Sequence, residues 1–158
     1  VCHNLDLVHF LLSHGADPNL NTRVRRRALE VATVRAPIPI IEALLDAGAH
    51  LNGRSALQIA AREGRVEVIA LFLERGADID EVPKNEDLDI LDYNEGIKNA
   101  LCEAAWRGQT AALEMLLERG ADMYIKDTKG RLAVELAELG GHEICVENLN
   151  SHAMLSGT

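Results

Sequence analysis

An apolar run ending in Gly-Ala-Asp recurs along this chain, and its near-fixed period limits the possible folds more than any other feature. The copies read LLSHGAD (Leu11 to Asp17), LFLERGADID (Leu71 to Asp80) and LLERGAD (Leu116 to Asp122), with a weakened form, LLDAGAH, at Leu44 to His50. Their glycines, Gly15, Gly48, Gly76 and Gly120, are separated by 33, 28 and 44 residues. A second pattern, a short Ala-rich segment, precedes three of them as RRALEVA, RSALQIAAREG and KNALCEAAWRG, and returns once more as GRLAVELAELGGH. The unit is therefore a short helix, a tight turn, a longer apolar helix, a glycine stop and an extended connector. One such pair of helices cannot bury its apolar face alone, but stacked copies can, and that makes the architecture a solenoid.

Each part of the unit has a local cause. Apolar residues at 66, 69, 70 and 73 follow helical spacing and predict one buried face on the longer helix. Gly76 supplies a left-handed stop without a Cβ penalty, and Gly64 and Gly108 do so for the shorter helices. Ala60, Ala61, Ala104 and Ala105 let neighbouring helices approach closely.

These residues resemble the ankyrin-repeat family, whose unit is a β-turn finger and two antiparallel helices over 33 residues. The matching segments are GADIDEV after VEVIALFLER, GADMYIKDTKGR after LEMLLER, GADPNLNT after LDLVHFLLSH, and ALQIAAREGR, so the resemblance covers nearly the whole chain. It implies an all-α solenoid of about four and a half units: 1–21 (partial), 22–52, 53–80, 81–126 and 127–149, with a frayed tail at 150–158. The first unit holds only its second helix, about Leu5 to Ser13, which serves as an improvised cap. The third unit is five residues short, in its finger between Asn52 and Ser55. The fourth carries an acidic insertion at 81–96, expected on the finger side and mobile, with Leu88, Ile90, Leu91 and Tyr93 as apolar handles. The family's Thr-Pro-Leu-His opening is eroded: its Thr position holds Arg27, Ser55, Asn99 and Leu132, and its His position Glu30, Gln58, Cys102 and Glu135. Ser55 and Gln58 predict a capping box and Asn99 a cap, whereas Leu132 has no side chain that can cap.

Composition narrows the function. Only 3% of the 158 residues are aromatic, so a core of Leu, Ile, Val and Ala leaves few ring-lined pockets for a flat cofactor, and none is expected. The net charge of −9 disfavours phosphate backbones and acidic membranes, so neither nucleic acid nor membrane is the expected partner. Cys2, Cys102 and Cys145 form neither a disulfide framework nor a zinc pattern, which points to a reducing setting, cytoplasmic or nuclear. The chain starts at Val1 and reads as a piece of something longer.

Candidate chemistry is thin. His3, His9, His14, His50, His142 and His152 are scattered over different units without helical pairing, which argues against a metal site. Cys102 beside Glu103 could be read as a nucleophile, but buried cysteines commonly act as small apolar fillers. Asp87, Asp89, Asp92 and Glu95 lack calcium-loop spacing. RVRRR (Arg23 to Arg27) falls on a connector and finger, not on a nucleic-acid patch. No catalytic residue is assigned, and the chain reads as a non-enzymatic, monomeric protein-binding module. Its candidate site comes from alignment on the glycines. Arg26, Arg54, Lys98 and Arg131 precede the Thr position in turn, and Arg35, Arg62 and Arg107 end the short helices around Trp106. Stacking predicts that these eight side chains line a basic concave groove for an acidic peptide segment. Glu42, Asp46, Glu67, Glu74, Glu114 and Glu118 are expected to face outward. The alternative is a regulatory or structural segment packing in cis against another domain.

Overall fold

A computed structural model describes residues 4–20, 27–51, 55–83, 96 and 98–156, and among them the regular structure is entirely helical. The helices are α1 (Leu5–Ser13), α2 (Ala28–Arg35), α3 (Ile38–Asp46), α4 (Ala56–Arg62), α5 (Val66–Glu74), α6 (Ala100–Arg107), α7 (Thr110–Glu118), α8 (Ala133–Gly140) and α9 (Glu143–Ser156). Short helices α2, α4, α6 and α8 pack side by side in that order. Each also packs on the long helix that follows it, and the long helices form a second row in which α1 meets α3, α5 meets α7, and α7 meets α9. This is the expected solenoid.

Small residues set the spacing of the inner row. Ala60, Ala61, Ala104, Ala105 and Ala137 are fully buried, so helix backbones approach with no larger side chain between them. Between the rows lie Leu101, Val68, Ile69, Phe72, Leu113, Leu116, Leu136 and Leu149, also fully buried. On α5 the deepest residues are Val68, Ile69 and Phe72, while Val66, Ala70 and Leu73 are half-buried. The buried stripe is thus turned relative to the 66/69/70/73 expectation, because α5 is covered on two sides, by α4 and by α7.

The Gly-Ala-Asp signature has a compact physical explanation. Gly76 sits at φ 85°, a conformation a side chain would strain, and this lets the Gly76 and Ala77 amides turn back to Leu73 and Phe72 carbonyls at 3.1 and 2.9 Å. The Asp carboxylate then holds the connector by accepting the amide two residues on: Asn19 from Asp17 at 2.8 Å, Asp80 from Asp78 at 3.1 Å, Tyr124 from Asp122 at 2.8 Å. The second of those residues reaches the next unit. Asn19 accepts the His50 amide and donates to the Gly48 carbonyl, both at 2.8 Å, whereas Asp80 accepts the Asp122 amide at 2.9 Å and has no proton for a second bond.

A second ladder joins the inner helices. The residue after each short-helix stop reaches back to the carbonyl end of the preceding short helix: Arg65 to Thr33 at 3.0 Å, Gln109 to Arg62 at 3.0 Å, and His142 to Trp106 at 3.2 Å. For His142 the carbonyl accepts, which places the proton on Nε2.

Two local expectations change, and those at Leu132 and Asn99 hold. Ser55 makes no side-chain cap, and the Gln58 amide instead donates to the Glu81 carbonyl at 2.7 Å, so the capping box gives way to a bond between units. Leu132 cannot cap with its own side chain, but the Glu135 carboxylate accepts its backbone amide at 2.7 Å, and Glu30 does the same for Arg27 at 3.2 Å. Asn99 does cap, accepting the Cys102 amide at 2.9 Å. The tail expected to fray at 150–158 is instead helical through Ser156, with Leu149 fully buried. Ala153 stands where earlier units have their stop glycine, so nothing halts the helix there. The insertion expectation rests on 81–96, of which 84–95 lie outside the described residues, as do the finger residues 52–54.

Candidate functional site

In the inner row, Val34, Arg62, Trp106 and Leu139 hold equivalent positions, followed by Arg35, Glu63, Arg107 and Gly140. Packing of α2, α4, α6 and α8 in sequence turns each set into a row running across the units. Arg35, Glu63, Arg107 and Leu139 are exposed, and Val34, Arg62 and Trp106 are half-buried. Three of the eight candidate site residues, Arg35, Arg62 and Arg107, therefore fall at the C-terminal ends of successive inner helices: Arg107 next to Trp106 in α6, Arg62 on the neighbouring α4 and Arg35 one helix further, on α2. The Arg62 Nε is 3.9 Å from the Glu63 carboxylate, a loose and partly exposed pair.

The structure places the finger candidates differently. Arg26 and Arg54 lie outside the described residues. Lys98 is not a groove cation: it is only 3% exposed. Its ammonium donates to the Gly96 carbonyl at 2.9 Å, lies 3.8 Å from the Glu103 carboxylate and stands 5.7 Å from the centre of the Trp106 ring. The cause is Glu103, which occupies the position filled by Val31, Ile59 and Leu136 in the other short helices. A carboxylate this close to the core needs a partner, and Lys98 turns inward to supply it. Arg131 is likewise engaged within its own finger. Its Nε and Nη2 donate to one Asp127 oxygen at 2.8 and 2.6 Å, while the Lys129 and Arg131 amides donate to the other, both at 2.9 Å. Burial pushes the Asp127 carboxyl up, but these bonds and the Arg131 charge outweigh it and hold the group below its ordinary value of 3.8.

Cys102 is a filler. Burial, reinforced by Asp127 and Glu103, raises its thiol to about 12 against Lys98 and Arg131, so it carries no thiolate at neutral pH. Among the described residues no three His, Cys, Asp or Glu side chains are placed to hold a metal, and no helix is long and apolar enough to cross a membrane. Leu139 is an exposed apolar residue of the inner row that sequence reading passed over. It is 64% exposed at the position equivalent to Trp106, and alignment of the short helices on Gly108 and Gly141 would have revealed it.

Comparison with known proteins agrees with this geometry. A family profile described as ankyrin repeats (3 copies) matches residues 1–83, and one described as ankyrin repeats (many copies) matches residues 57–117. Over 126 residues the chain is 32% identical to cyclin-dependent kinase inhibitor 2A of Monodelphis domestica, covering 77% of this chain and 67% of that protein. It is 30% identical over 128 residues to a putative ankyrin repeat-containing protein of Treponema pallidum, covering 77% of this chain and 40% of that one. Similarity to the mouse B-cell lymphoma 3 protein homolog is 28% over 141 residues, covering 84% of this chain and 29% of the relative. The chain thus spans less than half the length of several relatives. With its helix pairs and glycine stops in register with the profile matches, this chain belongs to the ankyrin-repeat family.

Proposed function

We propose that this chain is a non-catalytic protein-binding module, in a reducing compartment, that takes an acidic segment of a partner on its concave inner-helix face. The observation that supports this reading is the placement of Arg35, Arg62 and Arg107 at the C-terminal ends of the successive packed helices α2, α4 and α6, the last of which carries Trp106. Tryptophan and arginine are the residues that most often dominate a protein interface. Arginine also offers charge-assisted, bidentate hydrogen bonds to carboxylates. The relatives support the class of this reading, because one protein similar to the chain is named as a cyclin-dependent kinase inhibitor. A cis arrangement, with the repeats packed on another domain of a longer protein, would use the same face, and the short coverage of several relatives keeps it as the second reading. The test is affinity purification with the intact chain against a Trp106→Ala, Arg107→Glu double variant. Loss of specific partners in the variant supports the groove; an unchanged partner set rejects it.

A further inference from the structure

Glu103 and Trp106 stand three residues apart on α6, so they are neighbours along one side of the helix, and Lys98 meets both. The Lys98 ammonium lies 3.8 Å from the Glu103 carboxylate and 5.7 Å from the centre of the Trp106 ring, over its face, and donates to the Gly96 carbonyl at 2.9 Å. From this arrangement we infer that Lys98 and Glu103 are positioning residues, which hold the Trp106 ring in one orientation on the concave face for the partner to meet. The inference rests on the concave-face reading above and adds to it the device that fixes its aromatic anchor.

The fold does not need a charge at this place. Val31, Ile59 and Leu136 fill the position of Glu103 in the other inner helices, and Ile59 and Leu136 are 7% and 0% exposed there, so an apolar side chain packs well in it. Replacing a buried ion pair by apolar residues of similar volume is often neutral or stabilising, because the attraction between the charges only offsets what they lose on leaving water. The side chains of Lys98 and Glu103, 2% and 13% exposed, have left nearly all of theirs. Stability therefore gives no reason for the pair, whereas the ring beside it does. An ammonium over an indole face is attracted by the ring's quadrupole, most strongly where water is excluded. That attraction has a direction, so it favours one placement of the ring over the others that its side-chain rotamers allow. Glu103 and the Gly96 carbonyl keep the ammonium where it does this.

The backbone under the ring is held as well. His142 donates from Nε2 to the Trp106 carbonyl at 3.2 Å. Its ring lies against Gly140, where an added Cβ would come within 2.6 Å of the imidazole and 3.1 Å of the Trp106 carbonyl oxygen. Gly140 does not adopt the left-handed conformation, and the equivalent residues of the other inner helices are Arg35, Glu63 and Arg107. What excludes a side chain at Gly140 is therefore the space that the His142 ring occupies. Trp106 is fixed at its carbonyl by the following unit and at its ring by the segment that precedes α6. A side chain ordered before binding has less rotamer freedom to lose when a partner covers it, which raises the worth of a half-buried tryptophan as an anchor.

Trp106 is the only tryptophan of the chain, so its fluorescence reports on this ring alone. The test compares the intact chain with a Lys98→Met, Glu103→Leu double variant and with Lys98→Arg, which keeps a cation against the ring and places there the residue that the other three units carry. The first readout is time-resolved anisotropy without any partner. The wild-type ring is expected to turn only with the whole protein, the double variant to show added local motion and a red-shifted emission, and Lys98→Arg to retain the restricted ring. An equally restricted ring in the double variant overturns the inference. The melting temperature of the double variant is expected to equal or exceed that of the wild type, and a lower one would make the pair a structural element and overturn the inference as well. The second readout is recovery of the partners captured by the wild-type chain, expected to fall by about fivefold or more in the double variant. Unchanged recovery with a loosened ring would show that the order of Trp106 does not serve binding, which overturns the inference and leaves the groove standing. The groove reading itself falls only if captured partners ignore the Trp106→Ala, Arg107→Glu change.

Discussion

The first and last of the described helices are packed in different ways. Helix α9 packs on both α7 and α8, Cys145 and Leu149 are fully buried, and polar residues stand where earlier units carry apolar ones. Glu138 occupies the position of buried Ala61 and Ala105, and exposed Asn150 that of Leu73 and Leu117. At the N-terminal end none of the residues of α1 is fully buried, its packing is chiefly on α3, and Leu7, Phe10 and Leu11 are 41%, 55% and 48% exposed. The same helical pattern is thus a core element at one end and a loosely attached one at the other. The difference comes from neighbours on both sides, not from intrinsic propensity: an outer helix gains its stability by being covered twice.

The largest test of that contrast compares equivalent leucines. Leu149→Ala removes a fully buried side chain and is expected to cost about 3 kcal/mol, while Leu11→Ala, at the equivalent site, which is 48% exposed, is expected to cost about 1 kcal/mol or less. Denaturant midpoints measure both, and equal losses would break the comparison.

A smaller effect sharpens it through the last finger. Asp127→Ala removes a buried carboxylate that ties Arg131 and two backbone amides, with an expected loss of about 2 kcal/mol. The same group predicts a pH dependence. Its folded-state pKa lies below the ordinary 3.8, so its contribution is complete above that value and is lost as pH falls through the folded pKa. Amide exchange in α8 and α9 is expected to gain protection relative to Asp127→Ala at pH 6 and to converge with it in acid. A difference that persists well below pH 3 would show that the finger is held by something else.

The smallest effect lies at the connector. Asn19 makes two bonds to the next unit and Asp80 only one, so Asp80→Asn is expected to add a donor toward the next unit's connector and stabilise by about 0.5–1 kcal/mol. A lower melting temperature would show that the Asp80 charge matters more than the missing proton.

Much of this architecture was legible in the residues. The glycine period gave the unit, and Gly76 and Gly108 adopt the left-handed turns their positions require. What escaped depended on neighbours that a linear pattern does not display. Lys98 looked like one more exposed cation because its register matched Arg131, yet Glu103, five residues on, draws it inward. Gln58 fitted a capping box, but Glu81 of the following connector offers its amide a better acceptor. Leu139 went unremarked, since nothing in LAELGG itself shows that its side chain stands exposed. The helical tail was different: the lack of Gly or Pro between Glu143 and Ser156 was a readable signal of continuation.

The most direct test of the concave-face assignment is amide hydrogen exchange of the intact chain with and without a captured partner. Protection is expected at the C-terminal ends of α2, α4 and α6 and around Leu139 in α8, with α5 and α7 unchanged at Glu67, Glu74 and Glu114. Protection confined to those outer helices, with the ends of the inner row unaffected, would contradict it.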